Sequence, residues 1–244
     1  MTRPPRLEAL DGSPEAARRL TPVGRLWYAA YGSNMHLDRL TCYLAGGRPH
    51  GGLRTYPGCR DPRRPVRTTP VLLPGLLYFA TESQVWTGGR AFYDPSPGLA
   101  PADDGPGRPG THELPAHAYL LTLSQFSDIA AQEMYREPGG DLDLTETLTH
   151  GGARIGPGRY ETLVCAGLLD GYPVLTFTAP WSSQDITVNP PSAAYLRHIA
   201  AGIVASHGWS ALRAAAYLAG CPGAEGHWTA AEIAALLTDP PDPP

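Results

Sequence analysis

Five apolar runs of strand length come before the stretch where helical periodicity takes over, and this order narrows the fold more than any other feature. The runs are Leu26 to Tyr31, Val71 to Ala80, Ala116 to Leu121, Thr162 to Leu169 and Val174 to Thr178, most of them bounded by glycine or proline, as strands are. Helical spacing is found at 34 to 45, at 124 to 136, and through most of 192 to 238. The last helix has a readable start, because Thr229 followed three residues later by Glu232 is a capping box ahead of Ile233, Leu236 and Leu237. Strands gathered first and helices last predict an α+β fold, not an alternating parallel one. The 28 glycines and 27 prolines among 244 residues demand much turn and loop. Two segments, 45 to 75 and 94 to 116, carry much of it. The expected organisation is a polar leader at 1–24, one domain at 25–238 with C-terminal helices at 192–238, and a proline-rich tail at 239–244.

Charge and composition exclude several classes of function. A formal charge of −4 with 17% charged residues supplies no polyelectrolyte surface, so no nucleic-acid partner is expected. All 19 basic residues are arginine. Without lysine there is no Schiff base, phosphate-loop lysine, Ser-Lys dyad or kinase strand lysine. Asparagine occurs only at Asn34 and Asn189, which gives each of these residues added weight. Cys42, Cys59, Cys165 and Cys221 form no CxxC pair and read as reduced thiols, not as a disulfide framework. The first 25 residues contain no continuous apolar stretch and no run approaches 18 apolar residues, so a cytoplasmic protein without membrane contact is expected.

Two places carry candidate chemistry. The first is the join between strand and helix at Tyr31-Gly32-Ser33-Asn34, where Leu37, Leu40 and Leu44 recur at helical spacing and Gly46-Gly47 closes the helix. Ser33 or Asn34 is expected at the N-cap. A glycine there lets a ligand approach the backbone, and the helix dipole and free N–H groups would favour an anion or a polarised carbonyl oxygen. A plain capped turn would use the same residues for local reasons. The second place is a conflict of pattern: Phe126, Ile129 and Ala130 define the inner face of the helix at 124 to 136, and Glu133 falls at the next position of that face. Asp128, Gln132 and Arg136 fall on the side where solvent is expected. A carboxylate desolvated in this way favours its protonated form, which suits a group that exchanges protons near neutral pH. A glutamate that snorkels outward or pairs with Arg136 is the plain alternative.

Tyr31-Gly32-Ser33-Asn34 after an apolar strand resembles the YGSN signature of the γ-glutamylcyclotransferase-like family. Pro74-Gly75-Leu76-Leu77-Tyr78-Phe79, Ser83 and Trp86 to Ala91 are similar to the family's next stretch, and Pro191 to Tyr195 with Ile199 and Gly202 to its C-terminal helix entry. Glu133 stands at the position of the family's acid/base glutamate, with Ala and Met beside it in place of the usual Asp and Gly. Tyr160 is similar to a tyrosine that helps hold substrate. The resemblance covers about Leu26 to His207. It implies a barrel-like mixed sheet flanked by helices, to which this chain adds further C-terminal helices, and it implies no metal or organic cofactor. The implied substrate is a small γ-glutamyl amide: its own α-amine attacks the γ-carbonyl, releasing 5-oxoproline and an amine or amino acid. Glu133 would then be the catalytic residue, with Tyr31, Gly32, Ser33, Asn34 and Tyr160 holding substrate.

Other motifs point elsewhere. His112-Glu113 with His117 is not an HExxH helix, since Pro115 interrupts it. Gly151-Gly152 with Gly156-Pro157-Gly158-Arg159 reads as a connection, not a phosphate loop, and no GxSxG elbow is present. One alternative function is an amide hydrolase or deacetylase; its metal-dependent form needs a ligand cluster, and Asp141, Asp143 and His150 lack the spacing. The other is a non-catalytic module that binds a small ligand on the same fold. Oligomeric state has no signature in the sequence.

Overall fold

A computed structural model describes residues 3–11, 13, 15, 20, 23–49, 54–95 and 113–238. The tail at 239–244 and most of the expected loop at 94 to 116, His112 included, lie outside these residues. The described strands are β1 (Arg25–Ala30), β2 (Thr68–Pro74), β3 (Leu76–Ala80), β4 (Arg90–Asp94), β5 (Glu113–Thr122), β6 (Gly152–Arg154), β7 (Thr162–Leu169) and β8 (Tyr172–Thr178). The described helices are α1 (Leu37–Ala45), α2 (Leu123–Glu133), α3 (Thr145–His150), α4 (Ala193–His207), α5 (Ala211–Ala219) and α6 (Ala230–Leu236), with a 3₁₀ turn at Ser33–Met35 ahead of α1.

The fold is α+β, built on a six-stranded mixed sheet in the order β2-β5-β1-β8-β7-β6, with β3 and β4 forming a separate hairpin. β1 runs parallel to β8 and antiparallel to β5, and the other pairs are antiparallel. β1 is buried on both faces, which explains its unbroken apolar run. Trp27 and Ala29 point into a core shared with α4, α5, α6 and the hairpin. Leu26, Tyr28 and Ala30 point the other way, into a core with α1, α2 and α3. The centre of the domain is therefore a sheet between two helical layers.

The run from Val71 to Ala80 is two strands, not one. Gly75 at φ 118° turns the chain from the large sheet into the hairpin, and a Cβ there would collide with the Asp94 carbonyl. β4, β6 and α3 fall outside the expected elements: β4 is five residues with charge at both ends, β6 is Gly-Ala-Arg, and α3 is a turn and a half of TETLTH. Glu8 of the expected leader is bridged to Leu168, with backbone hydrogen bonds of 2.9 and 2.8 Å. Thr229 and Glu232 form the expected capping box at the start of α6. Among the described residues, no helix is long and apolar enough to cross a membrane.

Candidate active site

β1 delivers Tyr31 and Gly32 to the 3₁₀ turn at Ser33–Met35, and neither Ser33 nor Asn34 is an N-cap. The cap of the turn is Gly32 and that of α1 is His36, each without a side-chain capping bond. The two polar side chains are engaged elsewhere. Ser33 Oγ accepts from Arg39 Nε at 2.9 Å, while Asn34 Nδ2 donates to Glu133 Oε1 at 3.0 Å and to the Tyr28 hydroxyl at 3.3 Å. A three-residue turn aligns too few peptide dipoles to create a strong field, so the helix-dipole expectation fails for this turn.

The carbonyls of this turn are spoken for. Gly32 O accepts from Met35 N, Ser33 O from His198 Nε2 at 3.1 Å, and the Tyr119 hydroxyl lies 3.0 Å from Asn34 O and 2.8 Å from Met35 O. The N–H groups of Ser33 and Asn34 have no acceptor among the described residues. Burial, followed by the neighbouring His36, lowers the pKa of His198 to about 4. The neutral ring thus remains a donor that braces the turn.

Tyr31, Gly32, Ser33, Asn34, Glu133 and Tyr160 all line one cavity of about 80 Å³. Asn34 is 4% exposed, and its Oδ1 is buried without a partner. Glu133 is half-buried at the end of α2, close enough to Tyr43 that its charge adds to burial in raising the phenol pKa well above its usual value. The two expected tyrosines contribute mainly their rings. Tyr31 donates its hydroxyl to Phe177 O at 2.9 Å and Tyr160 donates to Ala91 O at 3.1 Å.

The arginines escaped the sequence reading. Arg39, Arg54, Arg90 and Arg159 line the same cavity, and Glu133 is the one carboxylate among its described lining. Arg39 is 8% exposed, donates to Ser33 Oγ and to the Tyr56 hydroxyl, and lies over the Tyr56 and Trp86 rings. No carboxylate pairs with it among the described residues. Burial disfavours its cation, but the Tyr43 and Tyr56 phenols and Glu133 outweigh this and hold the guanidinium above its ordinary pKa. A buried charge of this kind needs an anion beside it or several polar partners. The available signal was spacing: Arg39 follows Tyr31-Gly32-Ser33-Asn34 by five residues, in the first turn of α1.

The outer side of α2 also differs from expectation. Asp128 and Gln132, expected toward solvent, are fully buried because the chain at 54–63 packs over them. Asp128 accepts from Arg60 N at 2.8 Å and Arg60 Nε at 3.0 Å, and Gln132 Nε2 donates to Tyr43 O at 3.1 Å. Arg136 pairs with Glu161, not with Glu133. The other acidic group considered has separate partners, Asp141 pairing with Arg60 and Asp143 accepting from Thr145 N at 2.9 Å. Among the described residues, no set of three or more His, Cys, Asp or Glu is arranged to hold a metal ion.

No protein-family model matches the chain. It is similar to histone deacetylase 5 of Arabidopsis thaliana, 31% identical over 209 residues, which takes in 79% of this chain and 30% of that protein. The chain thus spans under a third of the length of that curated relative. Two solved structures are similar at a TM-score of 0.43. One is a gamma-glutamyl cyclotransferase, 16% identical, with 88% of this chain and 98% of that chain covered. The other is the uncharacterized protein loc79017 from Homo sapiens, 17% identical, with 88% and 99% covered.

Proposed function

We propose that the protein cleaves γ-glutamyl amides by intramolecular aminolysis, releasing 5-oxoproline and the amine of the amide. The observation that carries this reading is the 3.0 Å bond between Asn34 Nδ2 and Glu133 Oε1, which joins two polar segments 99 residues apart at one small cavity. In this reading the glutamyl α-carboxylate lies near Arg39 and the N–H groups of Ser33 and Asn34. The tethered α-amine then sits near the γ-carbonyl, and holding it there supplies much of the rate gain. Glu133 takes a proton from the α-ammonium, the freed nitrogen bonds to the γ-carbon, and the C–N amide bond breaks as Glu133 gives that proton to the leaving nitrogen; the second proton on the ring nitrogen then passes through the same carboxylate to the released amine. Atoms balance without water or a second substrate. Asn34 fixes the carboxylate rotamer, and Tyr31 and Tyr160 offer ring surfaces to the methylene chain. The test is to incubate the protein with γ-glutamyl amino acids and γ-glutamyl amines and to detect 5-oxoproline by mass. Product from the wild type and none from Glu133→Gln is expected; undiminished turnover by that variant sinks the assignment.

A second reading, hydrolysis of an acyl amide, draws on the likeness to a protein named histone deacetylase 5. The matched segment is under a third of that protein, and the described residues contain no ready metal-ligand set. Acetate release from an acetyl-lysine peptide by the purified chain would favour it. Ligand-induced thermal stabilisation without any product would instead favour a non-catalytic binding module.

A further inference from the structure

We propose that Arg54, Tyr135 and Arg159 form a carboxylate subsite for the departing half of the substrate, so that the molecule released is an amino acid or peptide and not a simple amine. Which half departs rests on the cyclisation reading above; the binding preference itself does not.

Three observations converge on this corner of the cavity. Tyr135 is half exposed and adopts φ 58°, a left-handed conformation that is strained for a side chain of this size. The guanidinium carbons of Arg54 and Arg159 lie over its ring, 4.4 and 4.9 Å from the centroid. Two like charges on one ring repel each other, and neither has a carboxylate partner among the described residues. Arg60, Arg63, Arg67 and Arg136 are ion-paired elsewhere in the molecule, whereas the four arginines that line the cavity have no ion pair among the described residues. Arg54 donates one bond, to Gln132 O at 3.2 Å, and Arg159 has no acceptor among the described residues. Apart from the Arg54 bond to Gln132 O, the guanidinium N–H groups, the part that grips a carboxylate, have no acceptor among the described residues.

The corner is held in place. Glu161, 6% exposed, accepts from Gly158 N at 2.6 Å and pairs with Arg136. It thereby ties the loop that carries Arg159 and Tyr160 to the chain just past Glu133. The position also suits the chemistry. Tyr135 is two residues beyond Glu133, a chain span of at most about 7 Å. The carboxylate of a leaving amino acid lies two bonds from the nitrogen that Glu133 would protonate. An alkylamine leaving group would leave both cations unmatched.

The discriminating pair is γ-glutamyl-alanine and γ-glutamyl-alaninamide, which differ at the departing carboxylate. KM should be about tenfold or more lower for the acid, with kcat little changed between them. The preference should vanish in Arg54→Gln/Arg159→Gln. Equal KM values, or a preference that survives in the double variant, overturn the subsite even if 5-oxoproline forms. Calorimetric binding of both compounds to the wild type, or to Glu133→Gln where the wild type turns them over, separates the two proposals. Tighter binding of the acid, lost in the double variant, upholds the subsite even when no 5-oxoproline appears from either compound. Binding of neither overturns it.

Discussion

Asp128 and Glu133 sit five residues apart on one short helix, and their surroundings could hardly differ more. Asp128 is completely buried, and both its oxygens are taken up by Arg60. Glu133 is only half-buried, yet it borders a cavity with four arginines, none of which is ion-paired with it, and Asn34 donates to one of its oxygens. Depth of burial therefore does not separate a structural carboxylate from a candidate catalytic one. What separates them is saturation: a carboxylate with every lone pair engaged has nothing left for a ligand, and one with spare acceptor capacity on a cationic cavity does. The arginines repeat the contrast. Arg60 meets two carboxylates and Arg39 meets none among the described residues.

The largest effect that would break this comparison is on rate. Glu133→Gln keeps shape and loses the proton, so 5-oxoproline formation should fall about 10²- to 10⁴-fold with the urea midpoint nearly unchanged. Asp128→Ala should do the reverse. Losing charge-assisted bonds from Arg60 should cost roughly 2–3 kcal/mol in urea unfolding, while activity per folded molecule survives. Arg39→Gln comes next, with KM for any γ-glutamyl substrate rising about 10- to 100-fold. Stability should fall by only about 1–2 kcal/mol, because the bonds to Ser33 Oγ and the Tyr56 hydroxyl are lost along with the cation.

A further effect is on pH dependence. Burial, with His207 and His36 nearby, holds His117 at about 4, and burial with His36 and Arg39 nearby holds His198 at about 4. Both values lie below the usual 6.5. Between pH 6.5 and 4 the unfolded chain binds more protons at these rings than the folded one. Their contribution is therefore complete above about pH 6.5 and is lost as pH falls toward about 4. Urea midpoints measured at pH 7 and pH 5 should differ accordingly, and His117→Phe should narrow the gap; an unchanged gap would exclude His117 as a source.

Much of this was legible locally. β1 was readable because a strand buried on both faces has to be a continuous apolar run, and α6 because its capping box lies within four residues. Glu133 was readable because it breaks an apolar stripe. The small strands β4 and β6 were not, since neither owns enough residues to show a period; partners far along the chain define them. Helical phase put Asp128 and Gln132 on the outside, correctly for an isolated helix. The loop that covers them comes from 54–63, which carries no periodic signal at all. For the same reason nothing local to Arg39 or Arg159 marks either as a cavity residue.

What the sequence determined by itself were the features set by neighbours on the chain: which of the longer segments are strands and helices, where α6 starts, and which single acid sits out of pattern. Tertiary structure alone decided which polar groups share a cavity and which are already saturated. Hydrogen bonds and charges act over a few ångströms of space, and residues 34, 133 and 159 come within that range only once the sheet has brought their segments together.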